Sequence, residues 1–550
     1  MVMDNKDAIK IIVISALCLV SFINTLNNEF VWDDRDIIEE NRYIRDMGHI
    51  PYFLHTEYWL VHHPGTKGNY RPLTMISLAI DYLLWQGRVA GYHITNILLH
   101  LINTLLLYFF LKRLTVKSSP VGWIREIPFV ASLLFAVHPV HVESIVYVKN
   151  RADIFAMIFF LSAFLFFIKY VKKRSLVYLG ASLFLYAVGI LSKEMAVTLP
   201  AVLLAYTISF EKKEIWKKAA LSTVPFFILA FLTLYAKVTV FKSLGAADFV
   251  VHIPLMPRVY LVLKTVTHYL KLLFFPVNLS IEHSMVIPHS YVEPSALFSI
   301  ILNILILVFI VRMYISARKG GGNNLFSALT FFSVLWFIGT ISSVSNIIYL
   351  ASRPIAEQRL YIPSLGFCLF ISTLLCYGTS KAAKHVPKER ALKTLYAATA
   401  VIVAFYTGQT IKRGNDWRQP LHFWKTACDK APNSFKARNN LGDIYLERGE
   451  YDKALSAYRR SISISPAMAS TYVNLGLAYA AKGNYKQAVR YYKTALDIGP
   501  DHPGAHNNLA VVYYFLKDYD TALHYYKKSL ELGYKPHPVF ENLLEPYRKD

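Results

Sequence analysis

Cysteine is scarce, with four in 550 residues. Cys18, Cys368 and Cys376 fall inside apolar runs and Cys428 stands alone in the polar C-terminal part, so no disulfide framework is expected. Charge is thin too, at 17% of residues against 54% hydrophobic, which excludes a chain that is soluble throughout. Acids are fewer than bases, 36 against 59. That imbalance would point to nucleic acid if the bases formed a patch on a soluble domain. Most of them instead sit in short loops between apolar segments, so no nucleic-acid partner is expected.

Long apolar runs are what the sequence has in quantity. They lie near 9–27, 91–111, 127–147, 152–171, 176–192, 195–210, 217–236, 295–315, 325–346, 361–378 and 393–411. Most are about 18–22 residues long, enough to cross ~30 Å of hydrocarbon. The first lacks a small-residue cleavage site and reads as a retained span. The apolar stretch 73–85, interrupted by Asp81, is short enough to lie along the interface, and 256–276 carries Arg258, Lys264, His268 and Lys271.

Alternate connections are basic. Lys112, Arg113, Lys117 and Arg125 form one group; Lys169, Lys172, Lys173 and Arg174 another; Lys212, Lys213, Lys217 and Lys218 a third. Arg312, Arg318 and Lys319, then Lys381, Lys384, Lys388, Arg390 and Lys393, complete the series. The positive-inside rule makes these five loops cytoplasmic. The sequence therefore predicts about 11 spans over 1–412, with the polar part from 413 to 550 on the outer side.

That polar part is periodic. Gly442, Gly476 and Ala510 recur every 34 residues, as do Tyr445, Tyr479 and Tyr513, and Tyr458, Tyr492 and Tyr526. This is the spacing of tetratricopeptide (TPR) repeats, each a pair of antiparallel helices. Full repeats are expected at about 435–468, 469–502 and 503–536. Trp417, Leu421 and Trp424 read as a degenerate leading half-repeat, and 537–547 as a capping helix that covers the last repeat. Asn439, Asn440, Asn474, Asn507 and Asn508, read as exposed on the first helices, are the candidate contacts for a protein or peptide partner, since an amide both donates and accepts.

In the membrane part, ionisable residues gather at the predicted outer face, where burial is costly and position is informative. Asp33 and Asp34 follow the first run; Glu143, Arg151 and Asp153 lie at 138–153; Lys193 and Glu194 join two runs; Arg359 precedes the tenth. A carboxylate there can take a proton from a hydroxyl, and cations can hold a phosphate leaving group. Neighbouring pairs, Arg151 with Asp153 and Lys193 with Glu194, also read as simple local ion pairs. His138, His141 and Glu143 are metal-ligand types, but their spacing across Pro139 does not specify a site.

Several segments together resemble the transmembrane-and-TPR-containing O-mannosyltransferases and their prokaryotic relatives. They are Trp32-Asp33-Asp34, YRPLT at 70–74, YHITNILLH at 92–100, HPVHVESIVYVKNRAD at 138–153, LSKEMAVTLP at 191–200 and EQRLYIPSLGF at 357–367. The resemblance implies an all-α fold: a polytopic helical bundle of the GT-C type followed by a TPR α-solenoid. It implies an inverting glycosyltransferase that takes a sugar from a polyprenyl-phosphate donor at the outer membrane face. Asp33 and Asp34 match the acidic residue of the family's first outer loop, Asp33 the better of the two by analogy with the Asp-Glu pairs of related enzymes, and Glu143 and Asp153 match its second acidic motif. Arg151, Lys193 and Arg359 are then the cations for the donor phosphate, with Glu194 beside them. The expected acceptor is protein Ser or Thr, recruited by the repeats.

Lipid-linked sugar is the implied co-substrate and no other cofactor is expected. Divalent metal stays open, because oligosaccharide-transferring cousins need one and monophosphate-using members generally do not. A prokaryotic inner membrane with periplasmic repeats is the expected location, or an endoplasmic reticulum membrane with lumenal repeats in a eukaryote. The competing readings are a membrane-anchored TPR scaffold for envelope assembly and a lipid-linked sugar transporter.

Overall fold

The computed structural model describes residues 5–59, 70–115, 122–211, 213–241, 254–283, 290, 292–318, 324–347, 353–535 and 537–548. Lys117, Lys212 and Lys319, three of the loop bases above, lie outside them. Among the described residues every regular element is helical. The chain forms two compact units, Met1–Gln419 and Pro420–Asp550. The division falls beyond residue 412 because the last apolar helix continues to Asp416.

The first unit begins with α1 (Asn5–Phe22) and, past the short α2 (Ile50–Leu54), α3 (Pro72–Trp85) and α4 (Val89–Thr115). Next come α5 (Ile127–Val137), the short α6 (Val142–Val146), α7 (Arg151–Lys173), α8 (Leu176–Ser192) and α9 (Leu199–Phe210). The remaining helices are α10 (Lys213–Leu221), α11 (Val224–Phe241), α12 (Leu255–Phe274), α13 (Pro294–Arg318), α14 (Asn324–Ile341), α15 (Pro363–Ala382) and α16 (Lys388–Asp416).

All eleven apolar runs are helical, but they differ in reach. Eight helices among the described residues are long and apolar enough to cross a membrane. The run at 127–147 is instead a pair bent by 51° before Pro139, whose ring removes a backbone donor and clashes with the preceding turn. α8 has 17 residues, and at ~1.5 Å per residue covers only about 25 Å. Helical segment Glu194–Phe210 is similarly short. α12 is long enough at 20 residues, yet Arg258, Lys264 and Lys271 keep it out of the apolar set. α3 is held to the bundle by its buried Asp81.

Packing in this unit is close where a side chain is missing. An added Cβ on Gly366 of α15 would lie 2.6 Å from the Ser333 carbonyl of α14. Beside it Trp336 donates its indole N–H to the Ile362 carbonyl at 2.9 Å, closing the same helix pair.

The second unit starts with α17 (Pro420–Lys430) and continues as three helix pairs. These are α18 (Phe435–Glu447) with α19 (Tyr451–Ile464), α20 (Ala469–Ala481) with α21 (Tyr485–Ile498), and α22 (Pro503–Phe515) with α23 (Tyr519–Glu531), then α24 (Pro538–Leu544). The small residues at the 34-residue period make room for the tyrosine of the paired helix. A Cβ on Gly442 would lie 2.5 Å from the Tyr458 ring, and one on Gly476 would lie 2.6 Å from Tyr492. Ala510 and Tyr526 share the last apolar cluster with Leu544 of α24, which covers the final repeat. Trp424 is buried in α17 as a half-repeat requires, whereas Trp417 belongs to the first unit.

Candidate functional site

The loop after α1 is fixed by two adjacent acids in different surroundings. Both oxygens of Asp34 accept backbone N–H groups, from Val148 at 2.9 Å and Lys149 at 2.8 Å. The side chain is buried, and this burial, with the Asp33 charge beside it, pushes its carboxyl up to about 8 against the amides that favour ionisation. Asp34 thus ties the first loop to the start of α7. Asp33 is a third exposed and is ion-paired with the Lys149 ammonium. Trp32 sits between Tyr147, stacked at 5.5 Å between ring centroids, and the Arg353 guanidinium, 5.9 Å from its ring centre. Its backbone is left-handed at φ 60°, a conformation that tryptophan adopts only when its surroundings hold it.

Arg151, expected at the donor phosphate, is instead fully enclosed. Its guanidinium donates to Asp81 at 2.5 Å, to Asn96 Oδ1 at 2.6 Å, to the Ser77 hydroxyl at 3.2 Å and to the Tyr92 carbonyl at 3.4 Å. With every edge used, it joins α3, α4 and α7. It does not pair with Asp153, three-dimensional neighbours having replaced the local pair. Asp153 holds Lys193 at 2.5 Å, and both are buried.

Glu194 likewise turns away from Lys193. Its carboxylate takes Lys237 of α11 at 2.5 Å and Arg71 at 3.3 Å. Arg71 lies near enough to act on the charges of both Lys193 and Asp153. Three cations, Arg71, Lys193 and Lys237, therefore surround the carboxylates of Asp153 and Glu194. Arg71 and Lys237 were not singled out in the sequence. Arg71 stands in YRPLT, which offered a signal; Lys237 is one lysine in an otherwise apolar helix, a position where charge is costly without a partner.

Glu143 is buried and grips Arg353 with both oxygens, Oε1 to Nη1 at 2.6 Å and Oε2 to Nη2 at 3.1 Å. Burial alone would lower the basicity of Arg353, but the Glu143 carboxylate outweighs it and raises it. Glu357 is buried in turn among the Ser280 amide at 2.5 Å, His283 Nε2 at 3.1 Å and Arg413 Nη2 at 3.2 Å. Burial pushes its carboxyl up, yet Arg413 and His283 prevail and hold it below the usual range. Arg359 donates to the Pro354 carbonyl at 2.9 Å, and among the described residues it has no carboxylate partner. Glu143 acts on the charge of Asp153, and Glu357 on that of Arg353, so these ion pairs feel one another's charges.

His138 Nε2 faces the Leu273 carbonyl at 3.1 Å and His141 Nε2 the Ser364 hydroxyl at 2.8 Å, while Glu143 is taken by Arg353. These three do not share a centre. Among the described residues no group of three or more His, Cys, Asp or Glu is arranged for a metal ion.

In the second unit the candidate asparagines are less exposed than expected. Asn439, Asn440, Asn474 and Asn508 are half-buried and Asn507 is buried, because the first helices pack side by side. Asn474 Nδ2 donates to Asp443 at 2.9 Å, and Tyr458 donates its hydroxyl to the same carboxylate at 2.7 Å. Burial pushes the Asp443 carboxyl up to about 6, against these two hydrogen bonds.

Comparison with known proteins agrees with both halves. Residues 72–236 match the family model described as dolichyl-phosphate-mannose-protein mannosyltransferase. Three tetratricopeptide models match 423–456, 442–483 and 467–534. A protein O-mannosyl-transferase of Caenorhabditis elegans is 25% identical over 463 residues, covering 83% of this chain and 63% of that protein. Protein O-mannosyl-transferase TMTC4 of Homo sapiens is 25% identical over 494 residues, covering 81% and 65%. The chain thus spans under two thirds of the length of either relative. Among solved structures, the Sgt2 TPR domain of Aspergillus fumigatus is 26% identical, with a TM-score of 0.20, covering 20% of this chain and 75% of that one. The chain joins an all-helical membrane region with a mannosyltransferase match to TPR repeats, the pairing of the transmembrane-and-TPR O-mannosyl-transferases that it resembles.

Proposed function

We propose that the protein transfers a sugar from a polyprenyl-phosphate donor to a serine or threonine hydroxyl of a protein at the outer membrane face. The mannosyl-transferases among its relatives make mannose the first sugar to test. The observation that carries this reading is a difference in exposure among the acids. Asp34, Glu143, Asp153 and Glu357 are buried on amides or cations, whereas Asp33, ion-paired with Lys149, keeps its carboxylate a third exposed.

Asp33 then serves as the base. Its carboxylate takes the hydroxyl proton as the acceptor oxygen attacks the anomeric carbon from the face opposite the phosphate. The bond from that carbon to the phosphate oxygen breaks, and its electron pair leaves with the polyprenyl phosphate. One displacement inverts the anomeric centre. Arg71, Lys193 and Lys237 hold the departing phosphate as its charge grows, with Arg359 a further cation for the same role. The repeats recruit the acceptor protein.

The test is transfer of radiolabelled mannose from polyprenyl-phosphate mannose in membranes. Asp33→Asn is expected to lower transfer by a factor of about 100 or more, the range of general-base loss. Transfer at the wild-type rate in Asp33→Asn would overturn the assignment of the base. A scaffold or a transporter would give no transfer to protein in any preparation. Deleting 420–550 is expected to spare transfer to a short peptide and abolish transfer to a folded protein.

A further inference from the structure

The repeat unit carries a second regularity that its packing does not require. Lys425, Arg459, Lys493 and Lys527 recur every 34 residues, and a tyrosine stands 20 positions after each, at Tyr445, Tyr479, Tyr513 and Tyr547. Three of these pairs interact. Lys425 lies 5.9 Å from the Tyr445 ring centre, Arg459 Nη2 donates to the Tyr479 hydroxyl at 2.5 Å, and the Lys493 ammonium is near enough to Tyr513 for each to act on the other's charge. The four cations are exposed and the tyrosines half-buried. Equivalent positions of successive repeats line up along a solenoid, so the pairs form a ladder.

The charges on this ladder are unspent. Among the described residues none of the four cations has a carboxylate partner. Three other lysines of the same unit do: Lys453 holds Glu450 at 2.6 Å, Lys482 holds Asp452 at 2.5 Å and the half-buried Lys528 holds Glu531 at 3.1 Å. A tyrosine hydroxyl that accepts from a cation still has its own proton to donate. Each rung therefore offers a carboxylate one positive charge, and at Arg459 and Tyr479, where the hydroxyl accepts from the guanidinium, a hydroxyl donor beside it. Packed helices lie ~8–10 Å apart, so rungs recur at on the order of 10 Å. An extended chain in the polyproline II form advances ~3.1 Å per residue with three residues per turn, so every third side chain returns to the same face about 9 Å on and meets a rung.

We propose that the ladder of Lys425, Arg459 and Lys493 with Tyr445, Tyr479 and Tyr513 binds an extended acidic segment of a partner polypeptide, with carboxylates at every third residue. This goes beyond acceptor recruitment by naming the chemistry recognised, and it rests on that reading only if the bound segment belongs to the acceptor. Binding is measured without catalysis, so its failure is separate from failure of the transfer assay.

The full chain in phosphatidylcholine nanodiscs is titrated against a fluorescent nine-residue peptide carrying Glu at every third position among Gly and Ser, and against its Gln counterpart. The Glu peptide is expected to bind at least tenfold more tightly than the Gln peptide. Lys425→Gln, Arg459→Gln and Lys493→Gln combined should weaken it at least tenfold. Lys482→Gln with Lys528→Gln removes charge from ion-paired positions and should change affinity less than twofold. Equal binding of the two peptides overturns the proposal, as does an equal loss in the control pair. So does capture of phosphatidylglycerol vesicles without affinity for the Glu peptide, which would assign the ladder to a lipid surface.

Discussion

Glu143 and Arg353, 210 residues apart, meet in a two-pronged ion pair inside the membrane unit, with Nη1 to Oε1 at 2.6 Å and Nη2 to Oε2 at 3.1 Å. The pair joins α6 to the segment ahead of α15. Removing one member strands a buried charge, at a cost of about 3–5 kcal/mol. Arg353→Ala should therefore lower the thermal midpoint in detergent more than Glu143→Gln combined with Arg353→Met does. A single variant as stable as the double would show that the pair is not coupled.

Arg151 gives a prediction of the opposite kind from its first reading as a phosphate ligand. Its donors all serve protein acceptors, so Arg151→Lys should reduce stability by at least ~2 kcal/mol, because an ammonium cannot reproduce the fork. The folded fraction should keep the wild-type KM for the lipid-linked donor. A raised donor KM with unchanged stability would return Arg151 to the phosphate site.

Lys237 should behave in the reverse way. Lys237→Gln removes one charge-assisted contact from the cation cluster, worth about 1.5–3 kcal/mol toward an anion. Donor KM is expected to rise about tenfold or more, while acceptor KM stays the same. An unchanged donor KM would remove Lys237 from the cluster's role.

Asp443 makes the repeat unit sensitive to pH. Its folded carboxyl titrates near 6, above the ordinary 3.8, so the folded form binds the proton more tightly. The stability this gives is complete below about 4 and is lost as pH rises through 6. Relative to Asp443→Asn, the wild type should lose on the order of 1–2 kcal/mol between pH 4.5 and 7, once partial exposure is allowed for. Amide exchange in α18 and α20 of the full chain reports this; a difference that grows in the other direction would contradict it.

The helices and repeats were legible because each rests on a local pattern. Apolar length marks the membrane helices, and the 34-residue period marks the places where Gly442 and Gly476 admit a tyrosine ring. The pairing of charges was not legible. Arg151 is two residues from Asp153 but pairs with Asp81, and Lys193 adjoins Glu194 but pairs with Asp153. Adjacent residues on a helix start or a tight connection point in different directions, so contact across the bundle decides the partner. The residues themselves did not separate Asp33 from Asp34, and the family resemblance only leaned toward Asp33. Only the position of the Val148 and Lys149 amides separates them.

Trp32 gives the first loop a property that follows from its left-handed backbone and its place between Tyr147 and Arg353. A non-glycine residue held at such a φ carries on the order of 1–3 kcal/mol of strain, balanced by the packing around it. The direction of the following residue is thereby settled in the resting protein. Under the role proposed for Asp33, the loop that presents it is preorganised before a donor arrives rather than shaped by its substrate.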